Sequence, residues 1–220
     1  MKSMLFIFLG TSLGLILSAC VNYYVDPSVE KNVRLELLHP TPHSFQAAWM
    51  EKMAAAESIN RREEPELEIS MEPHVARWRS SIDHLKNRTE LEQAELTNEI
   101  VNREVTYVSD YKHWERLDMW GDPYATLVEG GDCEDIAILK MESLKHLGWS
   151  KSQFAILVGY STFSNPPQSH AVLMVTLSNG AQLVLDSLED NVEPPKEDHH
   201  FNPIYAVTQD HLYMTAVSGG

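Results

Sequence analysis

Between Gly130 and Gly148 the chain marks out one element with both ends signed, and the stretch beyond it is of a different kind. Gly130-Gly131-Asp132 supplies a turn and an N-cap; Ile136, Ala137, Lys140, Leu144 and Leu147 then fall near one face, and Gly148 is placed as a stop. The spacing predicts a helix that begins at Cys133. Three strand candidates come next, Phe154 to Tyr160, His170 to Leu177 and Gln182 to Asp186. Ahead of the helix, apolar residues recur at three and four positions in three stripes: Phe45, Ala48, Trp49, Met53 and Ala56; Val75, Trp78, Ile82 and Leu85; and Leu91, Leu96, Ile100 and Val101. The acidic, Pro65-bearing stretch from Arg61 to Pro73 reads as a solvated loop, and Asp118 to Tyr124 as a turn-rich one. Helices first and strands second give an α+β domain, with an antiparallel sheet packed on the Cys-bearing helix.

The start of that helix carries chemistry. Free N–H groups and the helix dipole favour a thiolate in a first turn, which is where Cys133 would sit. Asp132, Glu134 and Asp135 pull the other way, because neighbouring negative charge disfavours a thiolate. An imidazolium or a bound cation would offset them. A cysteine nucleophile also needs a base and a group to orient that base, and His170 and Asp186 are of the right types. Whether they meet depends on the hairpin through Ser178-Asn179-Gly180. A two-residue Asn179-Gly180 turn would put His170 and Asp186 on opposite faces. A three-residue loop with Gly180 left-handed would instead pair Leu177 with Ala181 and Val172 with Asp186, bringing His170 diagonal to Asp186 on one face. The three-residue loop is the one expected. His199-His200 lies in a Pro- and Asp-rich loop without a matching Cys or His cluster, which argues against zinc.

The first residues have the form of an export signal: Lys2, then an almost wholly apolar run from Met4 to Leu17, too short for a spanning helix of about 20 residues. Leu17-Ser18-Ala19-Cys20 resembles a bacterial lipobox, in which Cys20 would become the lipidated first residue; Val21 after it points to the outer membrane. The expected organisation is a lipoprotein signal over 1–19, a tether over 20–42 and one domain over 43–220. Cys133 is then an unpaired thiol in an oxidising compartment, where cysteines are usually paired or absent. The formal net charge of -15 argues against a sequence-independent grip on nucleic acid and favours a cation as partner.

Gly131-Asp132-Cys133-Glu134-Asp135-Ile136-Ala137, Ser169-His170-Ala171-Val172-Leu173 and Val184-Leu185-Asp186-Ser187-Leu188, taken in that order, resemble the bacterial transglutaminase-like cysteine proteinases of the periplasmic, adhesin-processing type. The resemblance runs from about Trp78 to the C-terminus and includes Ile100-Val101-Asn102 and Trp120-Gly121. It implies a papain-like, transglutaminase-like core. It further implies Cys133 as nucleophile, His170 as general base and acid, and Asp186 as the orienting carboxylate. A calcium ion (Ca2+) would be held beside the nucleophile by Asp132 and Glu134, with Asp135 as a further ligand; oxygen ligands of this kind suit calcium. The implied substrate is a large surface adhesin cut near its N-terminus, and the implied regulator an inner-membrane cyclic di-GMP receptor. Two features depart from the pattern: the lipid anchor, and Tyr124 where a Trp is usual before Ala125-Thr126. Amide transfer by the same three residues, or a non-catalytic lipoprotein that binds an envelope protein, are the competing readings.

Overall fold

The computed structural model describes residues 32–37, 68–114, 120–195, 200–208 and 211–218. The signal segment, Cys20, the stripe from Phe45 to Ala56 and His199 lie outside these residues. The elements are, in chain order, β1 (Asn32–Leu37), α1 (Glu68–Asp83), α2 (Glu90–Glu104), α3 (Asp110–Trp114), α4 (Pro123–Glu129) and α5 (Cys133–His146). They continue with β2 (Phe154–Ser161), β3 (Gln168–Thr176), β4 (Gln182–Leu185), β5 (Phe201–Val207) and β6 (Leu212–Ser218). The six strands form one antiparallel sheet in the order β1-β6-β5-β2-β3-β4. The fold is α+β, with α5 laid on β3.

Apolar periodicity explains how the helices dock. Trp78 and Ile82 of α1, Ile100 and Val101 of α2, Leu127 of α4 and Ile136 and Leu139 of α5 close one core between the helices. Ala137, Ile138, Met141 and Leu144, from the other side of α5, meet Ile156, Leu173, Val175 and Leu185 of the sheet. Buried indole N–H groups are paired: Trp78 Nε1 donates to Ser143 Oγ at 2.8 Å and Trp149 Nε1 to Gln93 Oε1 at 2.6 Å. Helix α2 opens on a capping box, in which Glu92 N–H donates to Thr89 Oγ1 and Thr89 N–H to Glu92 Oε2.

Three elements and two further strands differ from the sequence reading. Six residues of the expected tether, Asn32–Leu37, form edge strand β1 on β6; Val33, Leu35 and Leu37 alternate there with polar residues, a short period-two signal overshadowed by the flanking prolines. Helix α1 starts at Glu68, inside the expected acidic loop, and takes Pro73 within it. Helix α4 occupies part of the expected turn-rich loop, because Asp122 caps it through Tyr124 N–H at 2.8 Å and Pro123 suits a first helical position. Strands β5 and β6 have no counterpart among the three expected strands.

The β3–β4 connection takes the three-residue form. Leu177 N–H donates to Ala181 O and Gly180 N–H to Leu177 O, both at 2.8 Å, and Gly180 has φ +87°. The ladder runs Leu173 opposite Leu185 through Thr176 opposite Gln182, so one step further Val172 faces Asp186. Glu90, first residue of α2, holds the loop from outside by accepting Ser178 N–H and Ser178 Oγ–H, each at 2.7 Å. Replacing Gly180 by Val, whose side chain opposes a left-handed backbone, should lower unfolding free energy by roughly 1–2 kcal/mol, measured by urea denaturation; an unchanged midpoint would remove this loop as the register's anchor.

Candidate active site

Cys133 is placed by a tightly stitched loop. Gly131 N–H donates to Thr106 O at 3.2 Å and Val108 N–H to Gly131 O at 3.0 Å, which fixes the approach to α5 against residues 106–108. A Cβ on Gly131 would lie 2.6 Å from Asp135 Cβ, so only glycine admits the Asp135 carboxylate here. That carboxylate accepts the N–H of Asp132 at 3.3 Å and, from the other side, the N–H of Gly121. Cys133 is the first residue of α5, and its own N–H is among those a helix leaves without an internal partner.

His170 and Asp186 are brought into direct contact. His170 Nε2 and Asp186 Oδ1 are 2.7 Å apart, with both side chains buried. Phe201 meets the imidazole edge-on, with ring centroids 5.8 Å apart. Asp186 is further held by Leu188 N–H, which donates to Oδ1 at 2.9 Å, and by Asn102 Nδ2, which donates to its backbone oxygen at 3.0 Å. Burial alone would raise the Asp186 carboxyl; the His170 hydrogen bond and charge, Leu188 N–H and Lys140 outweigh it and hold the group below its ordinary value. With Nε2 committed to Asp186, Nδ1 is the imidazole nitrogen left to exchange a proton.

Cys133 reaches the same strand one residue further on. The Ala171 N–H is near enough to favour the thiolate, while the thiol donates to Glu134 Oε2 at 3.1 Å. The thiol's own hydrogen bond therefore goes to Glu134 and not to His170. Burial pushes the Cys133 thiol up, and the charges of Glu134 and Asp132 push it further; the Ala171 N–H opposes them.

The acidic residues gather around this thiol in two overlapping groups that share Asp132. Ligand atoms of Asp132, Cys133 and Glu134 lie within 4.8 Å of one another, and so do those of Asp110, Asp132 and Asp135. Burial and the neighbouring Asp132 push the Glu134 carboxyl up to about 9. Burial, with the charges of Asp132 and Asp110, pushes Asp135 up to about 7 against the hydrogen bonds from Gly121 and Asp132 N–H. Crowded, poorly solvated carboxylates are an oxygen donor set in want of positive charge. The sequence reading did not find Asp110, a buried residue whose N–H donates to Asp132 Oδ2 at 3.4 Å; it stands 22 positions ahead, at no spacing that marks a ligand. Tyr107 was also missed: its side chain is largely exposed, but partial desolvation and the nearby charges of Cys133, Asp132 and Glu134 raise its phenol. His200 is exposed and meets Phe163, with centroids 4.3 Å apart.

A family model described as bacterial transglutaminase-like cysteine proteinase (BTLCP) matches residues 71–210. The chain belongs to this family. Among solved structures, calcium-bound LapG of Legionella pneumophila is similar at 26% identity over 76% of this chain and 87% of that one, with TM-score 0.57. LapG of the same organism in an EGTA-treated form is similar at 25% identity over 74% and 84%, with TM-score 0.55. No curated protein sequence matches. This family member is accordingly a transglutaminase-like cysteine peptidase acting on protein.

The raised carboxyls have a consequence for stability. A carboxyl whose folded pKa lies above its unfolded value keeps its full contribution below the unfolded value and loses it as pH rises towards the folded one. In chelator, the unfolding free energy should therefore fall between pH 4.5 and about 9 through Glu134, and Glu134→Gln should flatten that slope. A Glu134→Gln variant with the wild-type profile would contradict the assignment.

Proposed function

We propose that this protein is a calcium-dependent cysteine endopeptidase of the cell envelope in which Cys133 is the nucleophile, His170 the general base and acid, and Asp186 the orienting carboxylate. The observation that carries this reading is the buried 2.7 Å contact of His170 Nε2 with Asp186 Oδ1, next in the strand to Ala171, whose core cluster Cys133 packs against. Asp186 fixes the tautomer and orientation of the imidazole and favours its charged form. The Cys133 thiol exchanges Glu134 for His170 Nδ1 and passes its proton there, and the thiolate then attacks the scissile carbonyl carbon. The carbonyl π pair moves to oxygen, where the Cys133 N–H at the start of α5 is placed to receive it. On collapse the C–N bond breaks and the amine leaves with the proton from His170. Water, deprotonated by His170, cleaves the thioester and restores the thiol.

Asp132 and Glu134, joined by Asp135 and Asp110, are the residues that would hold calcium. The fit is one of donor chemistry: the buried Asp110 and Asp135 and the half-buried Glu134 crowd around buried Asp132, in a chain similar to a LapG solved with calcium bound. When bound, the ion would supply the positive charge that the cluster lacks. As a ligand, Glu134 would be less available to accept the thiol's hydrogen bond.

The resemblance of the three motifs supports the finer parts of the proposal. The substrate is a large surface adhesin cut near its N-terminus, the regulator an inner-membrane cyclic di-GMP receptor, and Cys20 a lipid anchor that keeps the enzyme on the periplasmic side, at the outer membrane. Adhesin N-terminal fragments incubated with the protein should be cut in calcium, and cutting should be lost with Cys133→Ala and with excess chelator. Asp110→Asn should raise the calcium concentration needed for half-maximal cutting. Cleavage that survives Cys133→Ala would refute the nucleophile assignment, and cleavage indifferent to chelator would refute the calcium site.

A further inference from the structure

Strand β3 is paired unequally on its two sides. Against β2 it pairs from Gln168, opposite Ser161, to Val175, opposite Phe154, but against β4 it pairs only from Leu173 to Thr176. The chain leaves the sheet at Asp186: Leu188 N–H donates back to Asp186 Oδ1 at 2.9 Å, and Asn98 and Asn102 hold the 186–190 turn against α2. Strand β4 therefore does not run on beside His170, and the first residues of β3 have no strand on that side among the described residues. The direction of the backbone groups follows from the pairing. Leu177 N–H donates across to Ala181 O, and along a strand the N–H and C=O groups of every second residue aim at the same side. Those of Leu173, Ala171 and Ser169 accordingly aim at the β4 side. Ala171 is buried, in the cluster that Cys133 packs against. Ser169 is exposed, and its N–H and C=O have no backbone partner on that side among the described residues. It adjoins the base, His170, and lies two residues from Ala171, roughly 7 Å along the strand. Pro166 and Pro167, which have no N–H to offer, end the edge in the other direction.

We propose, resting on the peptidase reading above, that the open edge of β3 at Ser169 binds the main chain of the substrate: an extended segment beside the bond to be cut accepts a hydrogen bond from Ser169 N–H and donates one to Ser169 O. An unpaired edge is a ready-made template for another chain, and this one is short and adjoins the nucleophile and its base. Strand addition of this kind draws its affinity from main-chain hydrogen bonds, so it asks for a stretch with no secondary structure of its own. The substrate is then an extended linker or terminal segment of a protein, and the departure of β4 from the sheet at Asp186 serves twice, by turning the carboxylate to His170 and by leaving the edge free.

The test removes one backbone donor. Ser169→Pro deletes the N–H that aims at the open side and none that the β2 ladder uses, and proline is tolerated on an edge. With an adhesin N-terminal fragment that the wild type cuts in calcium, KM should rise about tenfold, the scale of one lost hydrogen bond, while kcat shifts far less. Ser169→Ala, which lacks the hydroxyl but has the N–H, should bring KM back to the wild-type range. A second measurement needs no change at Ser169: adding the same fragment to the full chain carrying Cys133→Ala should slow amide exchange at Ser169, read by nuclear magnetic resonance. If Ser169→Pro does not fold, the exchange measurement decides. A wild-type KM in Ser169→Pro, a KM raised as much by Ser169→Ala, or exchange at Ser169 that the bound fragment leaves unchanged would overturn the proposal. If the wild type cuts none of the fragments, the peptidase reading fails and this proposal falls with it, a result distinct from failure at Ser169 alone.

Discussion

The pairing of β3 with β4 is the constraint on which the site depends. Side chains alternate with a period of two along a strand, so a slip of one residue would carry Asp186 to the face opposite His170 and leave both buried polar groups without each other. The loop at Gly180, with its left-handed backbone, sets that register, and Glu90 at the start of α2 clamps the loop through Ser178. The same helix reaches the other end of the hairpin through Asn98 and Asn102, which bind the 186–190 turn. Helix α2 thus fixes the hairpin at both ends, and α5 packs against both α2 and β3. Packing, register and site geometry are one arrangement.

Electrostatics sets the opposing requirement. A helix N-terminus favours a thiolate, yet Cys133 stands beside four buried or partly buried carboxylates, and its thiol is held by one of them. Each additional negative charge makes the next harder to carry, and the raised carboxyls of Glu134 and Asp135 express this in the same way as the raised thiol. His170 and Asp186, a paired base and acid, are outside this conflict. The proposed calcium ion would resolve it from the other side, by meeting the carboxylates with positive charge and leaving the thiol to the imidazole.

Much of this was legible in the sequence wherever the signal is local. Asp132, the apolar spacing from Ile136 to Leu147 and Gly148 bound α5 within a residue, and the need for His170 to meet Asp186 chose between the two registers that Ser178-Asn179-Gly180 allowed. The acidic neighbours of Cys133 were legible because they are adjacent in the chain. Contacts that only folding brings together were not. Strand β5 pairs with β2 across forty residues and carries Pro203, and β1 pairs with β6 from the opposite end of the chain. Asp110 and Lys140 look ordinary in sequence, one ahead of a short helix and the other a single lysine on an apolar stripe. Burial gives both their meaning, with Asp110 N–H donating to Asp132.

The carboxylate cluster raises the Cys133 thiol and so favours its protonated form, and a bound calcium ion would release it. Thiolate absorbance near 240 nm, taken as the difference between the protein and its Cys133→Ala variant across a pH titration, measures that state directly. The thiol is predicted to ionise well above its ordinary range in chelator and at least one pH unit lower in saturating calcium. A titration curve that calcium leaves in place would contradict the claim.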